Sequence, residues 1–182
     1  FYTILGIPLA RLADRSNRVS IITGALVVWS GMTALCGMAQ NFSQMLAARI
    51  GVGVGEAGCS PPAHSLIADY YPSNQRASAL SIYALGIPIG TALASIIGGA
   101  VVQSVGTADV VMLPLVGETK PWQLVFYIVG LPGLLLALLA YLFVREPERK
   151  KPSTGVVAPV SFRESLAYLV RHRRAYLPLF LG

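Results

Sequence analysis

Arg49 and Glu56 are the residues of this chain whose types and spacing could do chemistry, because both are ionisable and both sit in an apolar segment. Seven residues place them on nearly the same face of a helix, about 10 Å apart along its axis. They can share a wall but are badly spaced for an ion pair. Counted from Gln44, Glu56 stands roughly 18 Å down at helical rise, near the middle of a hydrocarbon layer about 30 Å thick, while Arg49 is about one turn in. A charge at that centre costs roughly 2.5 to 3.5 kcal/mol on insertion scales, so Glu56 is expected to face a cavity, meet a partner or hold a proton. A glutamate able to take up and release a proton is a reversible carrier. The plainer roles are a glutamate bonded to a neighbouring helix and an arginine in a structural ion pair.

A second set of charges lies between apolar runs. Asp14-Arg15-Ser16-Asn17-Arg18 joins two of them with almost no slack, and Asp69 and Arg76 flank the next connection on the same side. An acid at such a helix end can pair with a basic or helix-terminal group on a moving neighbour. Solvated loop charges that only fix topology are the alternative.

The elements that must position these residues are membrane spans. The chain is 54% hydrophobic and 12% charged, against about 25% charged in soluble domains, and its mean hydropathy is +0.63. No charge occurs from Val19 to Ala48, Ala77 to Ala108 or Pro121 to Val144. Each stretch exceeds the roughly 20 residues that a helix needs to cross. The reading is an all-α, polytopic membrane protein, with spans at about 1–13 (partial), 19–39, 45–68, 77–104 and 122–144. Both ends read as cut from within helices, which suggests a piece of a larger protein.

The net charge of +6 does not point to nucleic acid, because the basic residues gather at span ends. Of 14 Lys and Arg, 12 fall at Arg11, Arg15 and Arg18, at Arg76, and from Arg145 to Arg174. Alternate basic connections obey the positive-inside rule. Residues 14–18, 69–76 and 145–174 are therefore expected in the cytoplasm, and Gln40 to Gln44 and Gly106 to Lys120 outside. The expected location is a bacterial inner (plasma) membrane. Cys36 and Cys59 lie in apolar segments and read as free, packed thiols.

REPERKKPSTGVVAPV, from Arg145 to Val160, reads as a solvated linker. An S-x-x-E capping box at Ser161 and Glu164 then opens an amphipathic helix at about 161–172, and residues 175–182 begin another span.

Gly53-Val54-Gly55-Glu56-Ala57-Gly58 matches the G-x-G-x-x-G dinucleotide fingerprint. It is rejected, since Ser60-Pro61-Pro62 would break the helix that the fingerprint must open. Gly53, Gly55 and Gly58, with Gly51, instead read as sites where a neighbouring helix comes close, and Pro61 and Pro62 as loosening the backbone below. Gly86, Pro88 and Gly90 imply close packing and bending in the following span. His64 could relay a proton, though a satisfied structural histidine is the commoner case. Metal-ligand spacing, a nucleophile beside a base, and an ATP-binding loop are absent from the sequence, so no cofactor, metal or catalytic residue is expected.

These residues match a known family. The chain resembles the major facilitator superfamily and, within it, the Spinster-like branch. A-R-L-A-D-R-S-N-R, Ala10 to Arg18, is similar to the family loop G-x-L-A-D-R-x-G-R-K, with Ala10 and Asn17 in place of its glycines and Val19 in place of its last base. R-I-G-V-G-V-G-E-A-G, S-P-P-A-H-S-L-I-A-D-Y-Y-P, Q-R-A-S-A-L-S-I-Y and G-I-P-I-G are similar to the Spinster signature, over about 50 residues. The resemblance implies part of a 12-helix fold: the second to sixth helices of the amino-terminal six-helix half, in residues 1–144, then the central loop and the start of the seventh helix. It implies secondary transport by rocking two halves about a central site. Glu56 then maps onto a proton-coupling position and Arg49 onto a headgroup contact. Asp14, Arg15, Arg18, Asp69 and Arg76 map onto an inner gate network. Spinster-like proteins are associated with lysophospholipids and sphingoid phosphates. The expectation is a proton-coupled transporter of such an amphiphilic anion, whose partners are the lipid bilayer, protons and the substrate, monomeric when full length. A drug or small organic anion porter is the runner-up. A transport-inactive receptor or assembly subunit is the reading from another class, and a membrane enzyme stands third.

Overall fold

The computed structural model describes residues 2–105, 111–113, 117–149, 168 and 170–172. Its helices are α1 (Tyr2–Arg15), α2 (Arg18–Gly37), α3 (Phe42–Ala57), α4 (Ser60–Tyr70), α5 (Ser73–Ala84), α6 (Gly86–Val105) and α7 (Pro121–Phe143). Residues 1–148 form one compact unit and 149–182 a second. In the second, Tyr168, Val170 and Arg171 are helical and exposed. The rest of the amphipathic helix expected at 161–172, the start of a span at 175–182, and the linker beyond Arg149 lie outside the described residues.

Among the described residues, three helical stretches are long and apolar enough to cross a membrane: Arg18–Gly37, Ser73–Val101 and Pro121–Phe143. The second keeps none of its most apolar residues buried within this chain. Ile82, Ile87 and Ile96 are each more than 60% exposed. Contiguous apolar surface of this size fits lipid or another helix and does not fit water.

The span read at 45–68 is two helices, α3 and α4, each under 18 residues. Pro61 and Pro62 lack the N–H groups that would bond the carbonyls of Ala57 and Gly58, so the ladder cannot run through. Gly58 and Cys59 instead donate to Gly55 and Glu56, both at 3.1 Å, closing a tighter turn. The span read at 77–104 begins earlier, at Ser73, and is interrupted at Leu85, where Pro88 leaves the Ala84 carbonyl without its donor. In the segment read as an external connection, Val111–Leu113 (β1) pairs antiparallel with Gly117–Thr119 (β2), Val111 opposite Thr119. Those strands are too short to announce themselves in the sequence.

Antiparallel packing of α3 and α7 on α2 forms the core. Small residues make the approach possible. A Cβ on Gly55 would stand 2.5 Å from the Trp29 nitrogen and 2.9 Å from the Ala25 carbonyl oxygen of α2. A Cβ on Gly130 of α7 would stand 2.8 Å from the Ala34 nitrogen and 3.0 Å from the Ser30 oxygen. Backbones meet at those two points, the mode by which helices associate where no hydrophobic force separates protein from lipid.

Candidate functional site

The buried charges converge at one end of the bundle, where α2 begins, α4 ends and the chain leaves α7. Asn17 caps α2, its side-chain oxygen accepting the Ser20 N–H at 2.8 Å. An asparagine in the place of the family glycine thus has a local role. Arg18, the first residue of α2, is 2% exposed. Its Nη1 donates to Asp69 Oδ2 at 2.6 Å and to Ser65 Oγ at 2.9 Å, both on α4. Its Nε donates to Glu146 Oε1 at 2.6 Å. The other carboxylate oxygen of Glu146 accepts the backbone N–H groups of Arg18 at 2.9 Å and Val19 at 3.1 Å.

Two carboxylates thus face one guanidinium and a helix N-terminus, which carries about half a positive charge of its own. The balance is near neutral, as it must be, since a buried ion without partners costs several kcal/mol. Asp69 and Glu146 are 16% and 20% exposed, so the cluster is closed on Arg18 and open on its acids. Tyr70 adds a second tie between α4 and the same segment, donating to the Arg145 carbonyl. Arg76 Nη2 donates to the Ala68 carbonyl at 2.9 Å, and its buried Nε has no partner among the described residues. Asp14 and Arg15 stand exposed on the last turn of α1 and make none of the Arg18 bonds. The arrangement clamps three chain segments through one side chain.

Glu56 and Arg49 are both exposed on α3, whereas Ala48, Gly55 and Ala57 beside them are buried. The helix therefore buries its small residues and leaves its ionisable ones uncovered by this chain. The Arg49 guanidinium lies 5.1 Å from the centre of the Phe126 ring of α7, a cation–π distance that leaves its charge available. His64 is exposed, with Nδ1 2.7 Å from the Ser60 carbonyl oxygen and its ring edge-on to Tyr83. That bond uses one ring nitrogen within its own helix. No group of three or more potential metal ligands occurs among the described residues.

The glycines divide. Gly55 and Gly58 meet α2, as does Gly51 against Met32, while Gly53 is half-buried. Pro61 is half-buried and Pro62 buried, both in the first turn of α4. Gly86 and Gly90 have nothing within 4 Å of where a Cβ would stand, and Pro88 is exposed. Among the described residues no helix packs closely there.

Sequence reasoning missed Glu146, Ser65 and the glycines of α7. Glu146 was dissolved into a charged linker, although an acid just past a span on the basic side is a natural cap for a helix that starts there. Ser65 carries no signal in one sequence.

The family described as Major Facilitator Superfamily matches residues 1–182. The chain is 39% identical to a structure of a bacterial homologue of the human lysosomal transporter Spinster, inward-facing and unoccupied, with a TM-score of 0.76 over 94% of this chain and 39% of that one. It is 33% identical to protein spinster homolog 1 of Homo sapiens, over 81% of this chain and 26% of that protein. An MFS-type efflux pump of Mycolicibacterium smegmatis is 32% identical over 79% of this chain and 30% of its own length. The chain spans about a third or less of those two relatives' length. With its membrane-length helices, its charge clamp around Arg18 and these likenesses, the chain belongs to the Major Facilitator Superfamily and is Spinster-like within it.

Proposed function

We propose that this chain is part of a proton-coupled secondary transporter that moves a lysophospholipid- or sphingoid-phosphate-like amphiphilic anion by alternating access. The observation that carries the reading is Glu56, an acid on α3 left exposed beside buried Gly55 and Ala57. Glu56 takes up and releases the proton. Arg49, exposed on the same helix, receives the anionic headgroup while the tail lies on apolar helix surface. The cluster around Arg18 and Asp69, with Arg76, Asp14 and Arg15 nearby, closes the inner end when its charges are paired and opens it when they part. The likeness to Spinster proteins supports the substrate class. The likeness to an efflux pump favours a second reading, a porter of drugs or small organic anions working through the same residues.

The test places the full-length protein in liposomes, imposes a pH gradient and follows a labelled lysophospholipid, comparing wild type with Glu56→Gln. Gradient-driven flux in the wild type that falls to the level of empty liposomes in the variant is the expected result. Flux that survives the substitution leaves Glu56 structural and overturns the coupling. Flux of a small organic anion with none of lysolipid moves the second reading to the front, and flux of neither favours a transport-inactive receptor.

A further inference from the structure

A separate feature lies at the opposite end of the bundle from Arg18. There the last turn of α2, strand β2 and the first turn of α7 enclose a cavity of about 410 Å³, within the range of sites that hold small molecules. Glu118 and Lys120 are two residues apart on one wall, and both are exposed. Trp122, 43% exposed, continues that wall. The hydroxyl of Tyr127 is buried at the same cavity and has no hydrogen-bond partner among the described residues. A buried hydroxyl of that kind normally finds a donor or acceptor.

A second hollow of about 500 Å³ shares the wall Met38-Ala39-Gln40 with the first. Met32, Leu35 and Ala47 line it beside Gln40 and Gln44, so it is the more apolar of the two, and the charged side chains Glu118 and Lys120 line only the first. The boundary between the two falls where α2, a membrane-length helix, ends. Polar and apolar hollows that adjoin at that depth match the two parts of a lipid.

From this juxtaposition we propose that the outer end binds a phospholipid with a zwitterionic, ammonium–phosphate headgroup, as a resident lipid and not as cargo. Lys120 takes the phosphate. Glu118 takes the ammonium, with the face of Trp122 beside it. An acyl chain lies along Met32 and Leu35. One acid beside one base is why the headgroup carries both charges: an anionic lipid would leave Glu118 opposed, and a cationic one would leave Lys120 opposed. The apolar hollow is why the ligand is a lipid and not a free headgroup. None of these residues carries the coupling or gating assigned above, so this inference stands or falls apart from that reading.

The experiment is native mass spectrometry of the full-length protein titrated separately with phosphatidylethanolamine, phosphatidylglycerol and soluble phosphoethanolamine. Phosphatidylethanolamine is expected to be retained well beyond phosphatidylglycerol of the same chains, and phosphoethanolamine to bind weakly or not at all. The pair of changes Glu118→Gln and Lys120→Gln, both at exposed positions, is expected to erase the difference between the two lipids, while Glu56→Gln preserves it. Trp122→Leu lowers retention of phosphatidylethanolamine more than that of phosphatidylglycerol, because only the first offers an ammonium to the ring. Equal or stronger retention of phosphatidylglycerol overturns the zwitterionic assignment. Preference that survives the paired change overturns the location, and equally tight phosphoethanolamine overturns the lipid.

Discussion

The two ends of the α2 and α7 pair are fastened by different chemistry. At the inner end a buried guanidinium holds two carboxylates and the start of a helix. At the outer end a neutral amide does the fastening: Gln123 Oε1 accepts the Lys120 N–H at 2.9 Å, and its Nε2 donates to the Ala39 carbonyl at 3.2 Å. Between them, glycine allows backbone to touch backbone. A charged clamp is strong when intact and costly when half-made, because each freed ion must find water or a new partner. An amide bond is weak when made and cheaply replaced by water. The Arg18 end is thus costly to part once made, and the Gln123 end cheap.

The sharpest way to break this contrast is Glu146→Ala, which deprives the Arg18 and Val19 N–H groups of their acceptor, leaving Asn17 to cap α2, and leaves the Arg18 side chain to Asp69 and Ser65 alone. Breaking one partner of a buried pair costs about 3 to 5 kcal/mol, and the partial exposure of Glu146 puts the expected loss at the lower end. Thermal unfolding of the full-length protein in detergent, followed by circular dichroism, reads it. Glu146→Gln keeps an acceptor for the backbone N–H groups and should recover part of the loss. A loss below about 1 kcal/mol, typical of an exposed pair, would show that the cluster is solvated and that the two ends do not differ in kind.

A middle-sized effect is expected at Gly130→Ala. The added methyl would stand 2.8 Å from the backbone nitrogen of Ala34, and overpacking of this sort costs about 1 to 3 kcal/mol. Gly90→Ala is the control, because nothing in this chain lies within 4 Å of the new methyl. It should be neutral, or stabilising by up to about 1 kcal/mol through helix propensity. Equal losses at the two positions would mean that another part of the full-length protein packs on Gly90, restoring there the close contact that the sequence suggests.

These contrasts mark how far the sequence can be read. The uncharged runs from Val19, Ala77 and Pro121 announce membrane-length helices because charge is so costly in hydrocarbon that its absence is itself a signal. The same logic singles out Glu56 and Arg49 before any coordinates. Arg18 and Asp69 could be named as neighbours of a connection, but their meeting with Glu146 joins residues 128 positions apart. Periodicity within one helix carries no trace of such a distance. Glycines show the same limit. Gly55 and Gly86 look alike in sequence, yet one presses on α2 and the other faces open space, because close approach depends on which helix arrives opposite. The break between α3 and α4 was legible as a loosening at Pro61 and Pro62. Its consequence, two helices each too short to span alone, depends on where the tighter turn closes.

The smallest effect, and the finest test of the contrast, belongs to Gln123→Leu. The substitution keeps the volume near that of glutamine and deletes both amide bonds, freeing the Lys120 N–H and the Ala39 carbonyl. Lys120 is exposed, and Ala39, itself buried, borders the cavity that Gln123 lines, through which water can reach the freed carbonyl. Each deleted bond is then expected to cost no more than about 0.5 to 1.5 kcal/mol, well under the cost of Glu146→Ala in the same unfolding measurement. Gln123→Glu divides that small effect, since it retains an acceptor for the Lys120 N–H and turns the donor to Ala39 into a second acceptor facing a carbonyl. It should therefore destabilise at least as much as leucine at neutral pH and less at acid pH, where a protonated carboxyl donates again. A loss from Gln123→Leu equal to that from Glu146→Ala would mean that the outer amide is as dry as the inner clamp. The two ends would then be one kind of fastening.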